Sequence, residues 1–397
     1  MKPIHPFPAR MAPDLALERL SALAPGSLVL DPMSGSGTVL RQAINLGHKA
    51  IGFDMDPLAV LMASVWTTAS DDHAIEKWAE IAIDNAKALD DGICLPWIDG
   101  DPVTTEFVKF WFAEPQRSDL RKLAYVLDIL GNTATDGPDR STLNVLRLAL
   151  SRIIITKEQG VSLARDTSHS RPHKVSETST VAVFPAFLKS VKILRKRLSE
   201  QPVSGEARVN LGDARRLDLL ENDSVDAVFT SPPYLNAIDY LRGHKLALVW
   251  LGKNSHELRS IRSNSIGAER APDSDVGDKY AGIKKAMGAF DAMPKRYISM
   301  INRYSEDLYN MVSETARVLK PGGNATFVVG NSCLKGTFVQ NAAGVAEAAR
   351  SVGLKLVVSY ERDLPENRRY LPIPSGGSLG KRMRTETICT FEKVEPA

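Results

Sequence analysis

The sequence predicts an α/β protein, a doubly wound, Rossmann-like sheet of seven strands carrying a mostly helical insertion. Three observations support this. A short apolar run at residues 27–30 ends in Asp31-Pro32 and passes through the glycine-rich turn Met33-Ser34-Gly35-Ser36-Gly37-Thr38 into a helical pattern. A second apolar run at residues 50–53 leads into Asp54-Met55-Asp56-Pro57. Strand, turn, helix and strand in this order open a parallel sheet with helices on its faces. Strand patterns then return at residues 207–211, 225–229, 325–329, 355–359 and 386–391, which makes seven.

The first helix, residues 39–46, stops at Gly47, a residue suited to a left-handed helix end. Residues 70–200 read as mostly helical, with a polar loop at 165–180, and Phe110-Trp111-Phe112 reads as core with no assigned role. A second, irregular insertion spans residues 237–296. The helix through Arg317 is predicted to end at Pro321-Gly322-Gly323. A basic loop joins the last two strands, so the final strand is predicted to be a hairpin partner.

The chain has 397 residues, 43% hydrophobic and 24% charged, which is ordinary globular composition. A formal net charge of +3 makes no global case for a polyanionic partner. The distribution is more informative. Residues 152–197 hold ten Lys/Arg against three acids, and residues 362–384 hold six against two, while residues 71–101 are acidic. Local basic stripes of this kind hold phosphates. Cys94, Cys333 and Cys389 stand far apart, which argues against zinc and suits a reducing cytosol. No signal-like run follows Lys2, and no run reaches the ~18 apolar residues of a membrane span. The expected location is therefore cytoplasmic, beside the nucleoid, with no membrane partner.

Gly35 and Gly37 allow positive φ and a close backbone approach to a ligand. Their loop joins a strand end to a helix N-terminus, a natural ligand position. Asp54 ends the next strand, placed to accept two ribose hydroxyls. Asp31, at the loop entrance, suits a cation, and S-adenosylmethionine offers an ammonium and a sulfonium. The spacing fits neither GxGxxG nor GK[ST], which disfavours a dinucleotide or ATP. Asp31, Pro32, Met33, Gly35, Gly37, Thr38 and Asp54 are the candidate cofactor residues in this stretch.

Ser231-Pro232-Pro233-Tyr234 follows an apolar strand directly. Two prolines stiffen the turn and contribute carbonyls without N–H groups. Such a turn can hold an amino group by accepting its hydrogens, at the Ser231 side chain and the Pro232 carbonyl. An exocyclic amine on a base is a poor nucleophile, because its lone pair is delocalised. Held this way, the nitrogen moves towards tetrahedral geometry, and catalysis is positioning and electrostatics. Tyr234 is placed to stack on an extruded base. No cysteine lies nearby, so ring-carbon chemistry through a thiolate is not expected.

Together these strings resemble the amino-group DNA methyltransferases, which modify N4 of cytosine or N6 of adenine. Residues 31–38 resemble the cofactor motif and residues 230–234, TSPPY, the catalytic motif. Asp213, in a Gly-Asp-Ala string, resembles the contact to the cofactor adenine. VLKPGG resembles the lead-in to the fifth strand, and His5-Pro-Phe-Pro-Ala-Arg10 the segment flanking the cofactor. Cofactor motif before catalytic motif is the order of one branch; another large group reverses it. Met33 stands where an aromatic is common, and packing against cofactor or core are both open.

The resemblance implies S-adenosylmethionine as cofactor, DNA as partner, base flipping and, as in restriction-modification systems, a candidate cognate endonuclease. A serine at the head of the motif favours cytosine N4. The alternatives are N6-adenine transfer, RNA amino-methylation and a non-catalytic DNA-binding regulator. The expected division is residues 1–70 with 205–397 as the methyltransferase domain, and 71–204 as a helical insertion and candidate target-recognition region. Arg165, His169, Arg171 and Lys174 in the polar loop, with Arg368 and Arg369 in the C-terminal loop, are the candidate DNA contacts.

Overall fold

A computed structural model describes residues 3–6, 13–132, 137–156, 160–165, 172–235, 239–268, 280–363 and 385–395. The chain divides into two compact units. One comprises Met1–Pro8, Asp56–Ser204 and Asp239–Arg262, the other Ala9–Met55, Gly205–Ile238 and Ser263–Ala397.

The second unit holds the sheet. Its strands are β1 (Leu28–Asp31), β2 (Lys49–Asp54), β3 (Ala207–Leu211), β4 (Val225–Thr230), β5 (Leu319–Gly330), β6 (Leu354–Asp363) and β7 (Thr385–Lys393). They lie in the order β3-β2-β1-β4-β5-β7-β6. All pairs from β3 to β5 are parallel, whereas β7 runs antiparallel to both β5 and β6, the expected hairpin partner. Winding proceeds outward from β1 to β3, then returns to β4 on the other side of β1. The β1–β4 boundary is therefore the topological switch point, where crevices form beyond the strand ends. Asp31 and Thr230 are the last residues of those two strands.

Local chemistry holds the centre in register. The Asp226 carboxylate of β4 accepts from Leu28 N–H of β1 at 2.7 Å and from Lys320 Nζ of β5 at 2.6 Å. The helix Thr38–Asn45 presses on β2 so closely that a Cβ on Gly52 would stand 2.5 Å from Leu40 Cδ1. A larger residue there would force the Leu40 side chain to shift. The helix Lys295–Val318 buries Tyr304, Leu308, Met311 and Val312 in a core that also holds Leu30, Val228 and Phe327.

Three features depart from the sequence reading. Pro321-Gly322-Gly323 does not end the helix, which stops at Val318. Val225 pairs with Leu319 and Ala227 with Asn324, so the intervening residues bulge from the start of β5. Pro321 lacks an N–H for the ladder, and Gly322 has φ 74°. The second insertion is not irregular: it contains the helices Tyr240–Leu248, Ser255–Asn264 and Ala281–Met287. These are too short to show a sustained period. A small hairpin, Ser332–Leu334 with Thr337–Val339, follows β5.

The first unit is helical. The helices Pro57–Thr67, Asp72–Ala88, Pro102–Trp111 and Arg140–Ile154 begin with the aspartates Asp56, Asp71, Asp101 and Asp139, whose side chains accept first-turn N–H groups. Each such cap stabilises its helix by about 1 kcal/mol. Trp66, Phe112, Phe187 and Trp250 anchor the core. Phe112 is core as read, but Phe110 is 52% exposed. The helix ends between them at Trp111, and residues two apart on a helix point nearly opposite ways. No helix among the described residues is long and apolar enough to cross a membrane.

Candidate active site

The strand ends at the switch point build one half of the site. Ser34 N–H donates to the Phe53 carbonyl and Gly37 N–H to the Ser34 carbonyl, both at 2.8 Å, folding the loop back on β2. Gly35 N–H donates to Asp54 Oδ2 at 2.8 Å. Gly35 (φ 50°) and Gly37 (φ 85°) take the left-handed conformations that the sequence reading required. Pro32 and Thr38 are buried in this turn and Met33 is half-buried against the core. The Ser34 hydroxyl is buried and has no hydrogen-bond partner among the described residues.

Asp31 is 3% exposed. Its Oδ1 accepts from Met33 N–H at 3.2 Å and from Thr230 Oγ1 at 2.7 Å. Burial pushes its carboxyl up to about 7, against those two hydrogen bonds, and Asp54 adds a smaller upward push. No cation among the described residues pairs with it. A buried carboxylate without a counter-charge is costly, and a bound ammonium removes the cost. The unpartnered Ser34 hydroxyl, the glycine cradle and the unpaired acid together fit S-adenosylmethionine.

The other half of the site is the turn beyond β4. Thr230 is fully buried and, through Asp31, ties the two motifs together by one hydrogen bond across adjacent strands. Ser231 Oγ donates to the Val328 carbonyl of β5 at 2.9 Å. With its proton committed there, the hydroxyl faces any further partner as an acceptor. Tyr304, fully buried on the long helix, donates to the Pro233 carbonyl at 3.0 Å. The Pro232 carbonyl has no donor among the described residues.

Tyr234 packs on the backbone of Gly330. A Cβ on Gly330 would stand 2.7 Å and 2.8 Å from Tyr234 Cε2 and Cζ. Burial pushes the Tyr234 phenol up to about 12, followed by the nearby Glu386 charge; contacts with Ser231 and the Gly330 backbone pull the other way. Glu386 lies opposite Gly330 in the ladder and pairs with Arg362 at 2.5 Å. Gly330→Ala is therefore expected to displace the tyrosine ring and to slow the reaction served by this turn about 100-fold, with cofactor affinity unchanged. Calorimetry and single-turnover rates on that variant check both halves of the expectation.

The remaining sequence-derived residues are placed unevenly. Asp213 follows β3, but Arg215 holds both its oxygens, at 3.0 Å (Oδ1) and 2.6 Å (Oδ2), and also reaches Asp307 at 2.5 Å and the Asn264 carbonyl at 2.6 Å. Arg165 and Lys174 lie on paired two-residue strands of the helical unit, Ala164–Arg165 and His173–Lys174. Lys174 pairs with Glu177 at 2.5 Å. His5 is described and contacts Ser151 at 3.0 Å. His169, Arg171, Arg368 and Arg369 lie outside the described residues.

Sequence reasoning missed Tyr304 and Gly330, and gave Thr230 no role of its own. Thr230 was adjacent to the motif and polar at a strand end, a signal that was readable. Tyr304 and Gly330 lie about 70 and 100 positions from the turn they support, and only the fold brings them there.

Residues 5–64 match a family model described as DNA methylase. The type II methyltransferase M.BsoBI of Geobacillus stearothermophilus is 23% identical, over 94% of this chain and 81% of that protein. The type II methyltransferase M.MvaI of Kocuria varians is 21% identical, over 98% of this chain and 89% of that one. Among solved structures, a geranyl diphosphate methyltransferase in complex with S-adenosylmethionine aligns over 96% of this chain and 84% of that one, at 9% identity and a TM-score of 0.37. The family model covers the stretch that builds Asp31, the glycine loop and Asp54, and the two bacterial likenesses run nearly end to end; along most of its length the chain is similar to type II DNA methyltransferases.

Proposed function

We propose that the enzyme methylates the exocyclic N4 amino group of a cytosine flipped out of duplex DNA. The observation that carries this reading is the state of the acceptors at the catalytic turn. Ser231 has spent its proton on Val328, and Pro233 is occupied by Tyr304, so the Ser231 oxygen and the Pro232 carbonyl remain for two N–H groups. Both hydrogens of one amine fit two acceptors, and the nitrogen lone pair is then drawn out of conjugation with the ring. S-adenosylmethionine, when bound, supplies an electrophilic methyl on its sulfonium. Asp31 holds the ammonium end, the Gly35–Gly37 cradle admits the chain, Asp54 and Asp213 take the ribose and adenine, and Met33 packs beside them. Tyr234 stacks on the extruded base, a contact of ~1–3 kcal/mol. No general base is required, because the methylated nitrogen becomes acidic and gives its proton to water.

A base inside a duplex cannot present its amine to such a turn, so extrusion is part of the reading. The helical region, residues 71–204, serves as the target-recognition part, with Arg165 and Lys174 on its paired two-residue strands and His169 and Arg171 between them in sequence. A serine at the head of the turn, a neutral acceptor, supports cytosine over adenine. The test is transfer of labelled methyl to genomic DNA, followed by digestion to nucleosides. N4-methylcytosine is expected; N6-methyladenine overturns the base assignment, and 5-methylcytosine overturns the role given to the turn.

A further inference from the structure

The helix Pro102–Trp111 in the helical unit is amphipathic in an unusual sense. Asp101 caps it, accepting from Val103 N–H at 3.1 Å and Thr104 Oγ1 at 2.6 Å, and its inner face buries Thr104 and Val108. Its outer face is also apolar. Val103 is 51% exposed, Phe107 half-buried and Phe110 52% exposed, at positions i, i+4 and i+7 of one stripe. Trp111 meets the Phe110 ring edge-on, with centroids 5.0 Å apart. Val103 and Phe110 stand exposed on the side of the helix away from its buried face, and Phe107 between them packs against the core.

Cations from two distant segments are laid on this stripe. Lys245 Nζ stands 4.1 Å from the Phe107 ring centroid, and Lys174 Nζ stands 5.1 Å from that of Phe110. Burial and then the charges of Arg259 and Arg262 hold Lys245 below the ordinary lysine range, with Asp101 opposing them. Glu177 neutralises Lys174 and Asp239 neutralises Arg262. Arg259 is exposed and has no ion pair among the described residues. Each cation is attracted to the ring beneath it, but the gathered like charges repel one another in the free protein; a polyanion relieves that repulsion, and its bases offer flat faces to the exposed Phe110 ring. A second copy of this chain docked about a two-fold axis would instead bring the same cations towards one another.

We propose that this face is a DNA-strand site, with phosphates on Lys245 and Arg259 and an unstacked base on Phe110. The proposal rests on DNA being the substrate, and adds where a strand opened by base extrusion is received. An exposed ring can stack only on a base that has left its neighbours, which is what extrusion creates.

The test uses the full-length protein and a labelled single-stranded DNA of about 20 nucleotides in mixed sequence, read by anisotropy across a salt series. Phe110→Ala is expected to weaken binding about tenfold, and Phe110→Tyr to restore it. The double variant Lys245→Gln with Arg259→Gln is expected to flatten the salt dependence by between one and two phosphate contacts, roughly 0.7 in slope for each. Phe110 is half exposed, so circular dichroism is expected to show an unaltered fold. Wild-type affinity and slope in these variants would overturn the proposal. So would a Phe110→Ala protein that binds DNA normally but sediments differently from the wild type, because the face would then be a self-association surface. If the wild type transfers no label to genomic DNA while the oligonucleotide pattern holds, the transferase reading fails and this surface stands. If label is transferred and Phe110→Ala binds unchanged, only this surface fails.

Discussion

An Asp31→Asn variant is expected to lose cofactor binding and yet to melt higher than the wild type at pH 8. Asp31 is buried, accepts two hydrogen bonds through Oδ1 and has no cation partner among the described residues. Its carboxyl is pushed from 3.8 up to about 7, chiefly by burial. A raised carboxyl favours folding in its protonated form. Its stabilising contribution is therefore fully present below pH 3.8 and is lost as pH rises through about 7. The loss is on the order of 4 kcal/mol in the cofactor-free protein. Asparagine keeps an acceptor for Thr230 and carries no charge, so it avoids that loss. It also cannot pair with the cofactor ammonium, and breaking a buried pair costs about 3–5 kcal/mol, or an affinity loss on the order of 100-fold or more. Thermal melts at pH 4.5 and pH 8, with and without S-adenosylmethionine, check the linked effects. At pH 8 the variant gains several degrees over the cofactor-free wild type; at pH 4.5 the difference shrinks. The cofactor raises the wild-type melt only. A variant that binds cofactor like the wild type, or melts lower at pH 8, would contradict the role given to Asp31.

Legibility in the sequence followed the range of the interactions involved. The seven strands could be read because central parallel strands are buried on both faces and appear as short apolar runs between turns. The geometry of the glycine turn could be read because Asp31, Gly35, Gly37 and Asp54 set it through backbone conformation and nearest neighbours. The support of the catalytic turn could not. Val328 accepts from Ser231, Tyr304 donates to Pro233, and Gly330 leaves room for Tyr234, each across 70 to 100 residues of chain. The outward stripe of Phe107 and Phe110 was also hidden, since aromatic residues at helical spacing read as core whichever way the helix faces. Arg215 was hidden for a further reason: its bond to Asp213 is local, but its role depends on Asp307 and Asn264, which the fold supplies.

The second large effect is expected at Ser231. Its hydroxyl donates to Val328; on the reading proposed above its lone pairs take the amine, and alanine would leave the Pro232 carbonyl as the sole acceptor. The contact matters most as the nitrogen leaves the plane of the base, so it belongs to the transition state. Loss of one such preorganised group lowers the rate on the order of 100-fold. The cofactor loop and the DNA-binding surfaces are untouched, and Gly330 still seats the Tyr234 ring after its contact with Ser231 is lost, so binding is expected to hold. The most direct measurement is a rapid-quench single turnover, with enzyme and labelled cofactor in excess over DNA, on wild type and Ser231→Ala. The account requires a rate about 100-fold lower in the variant, with the same cofactor and DNA dissociation constants. A variant that transfers methyl groups at the wild-type rate would show that the amine is not held at this turn.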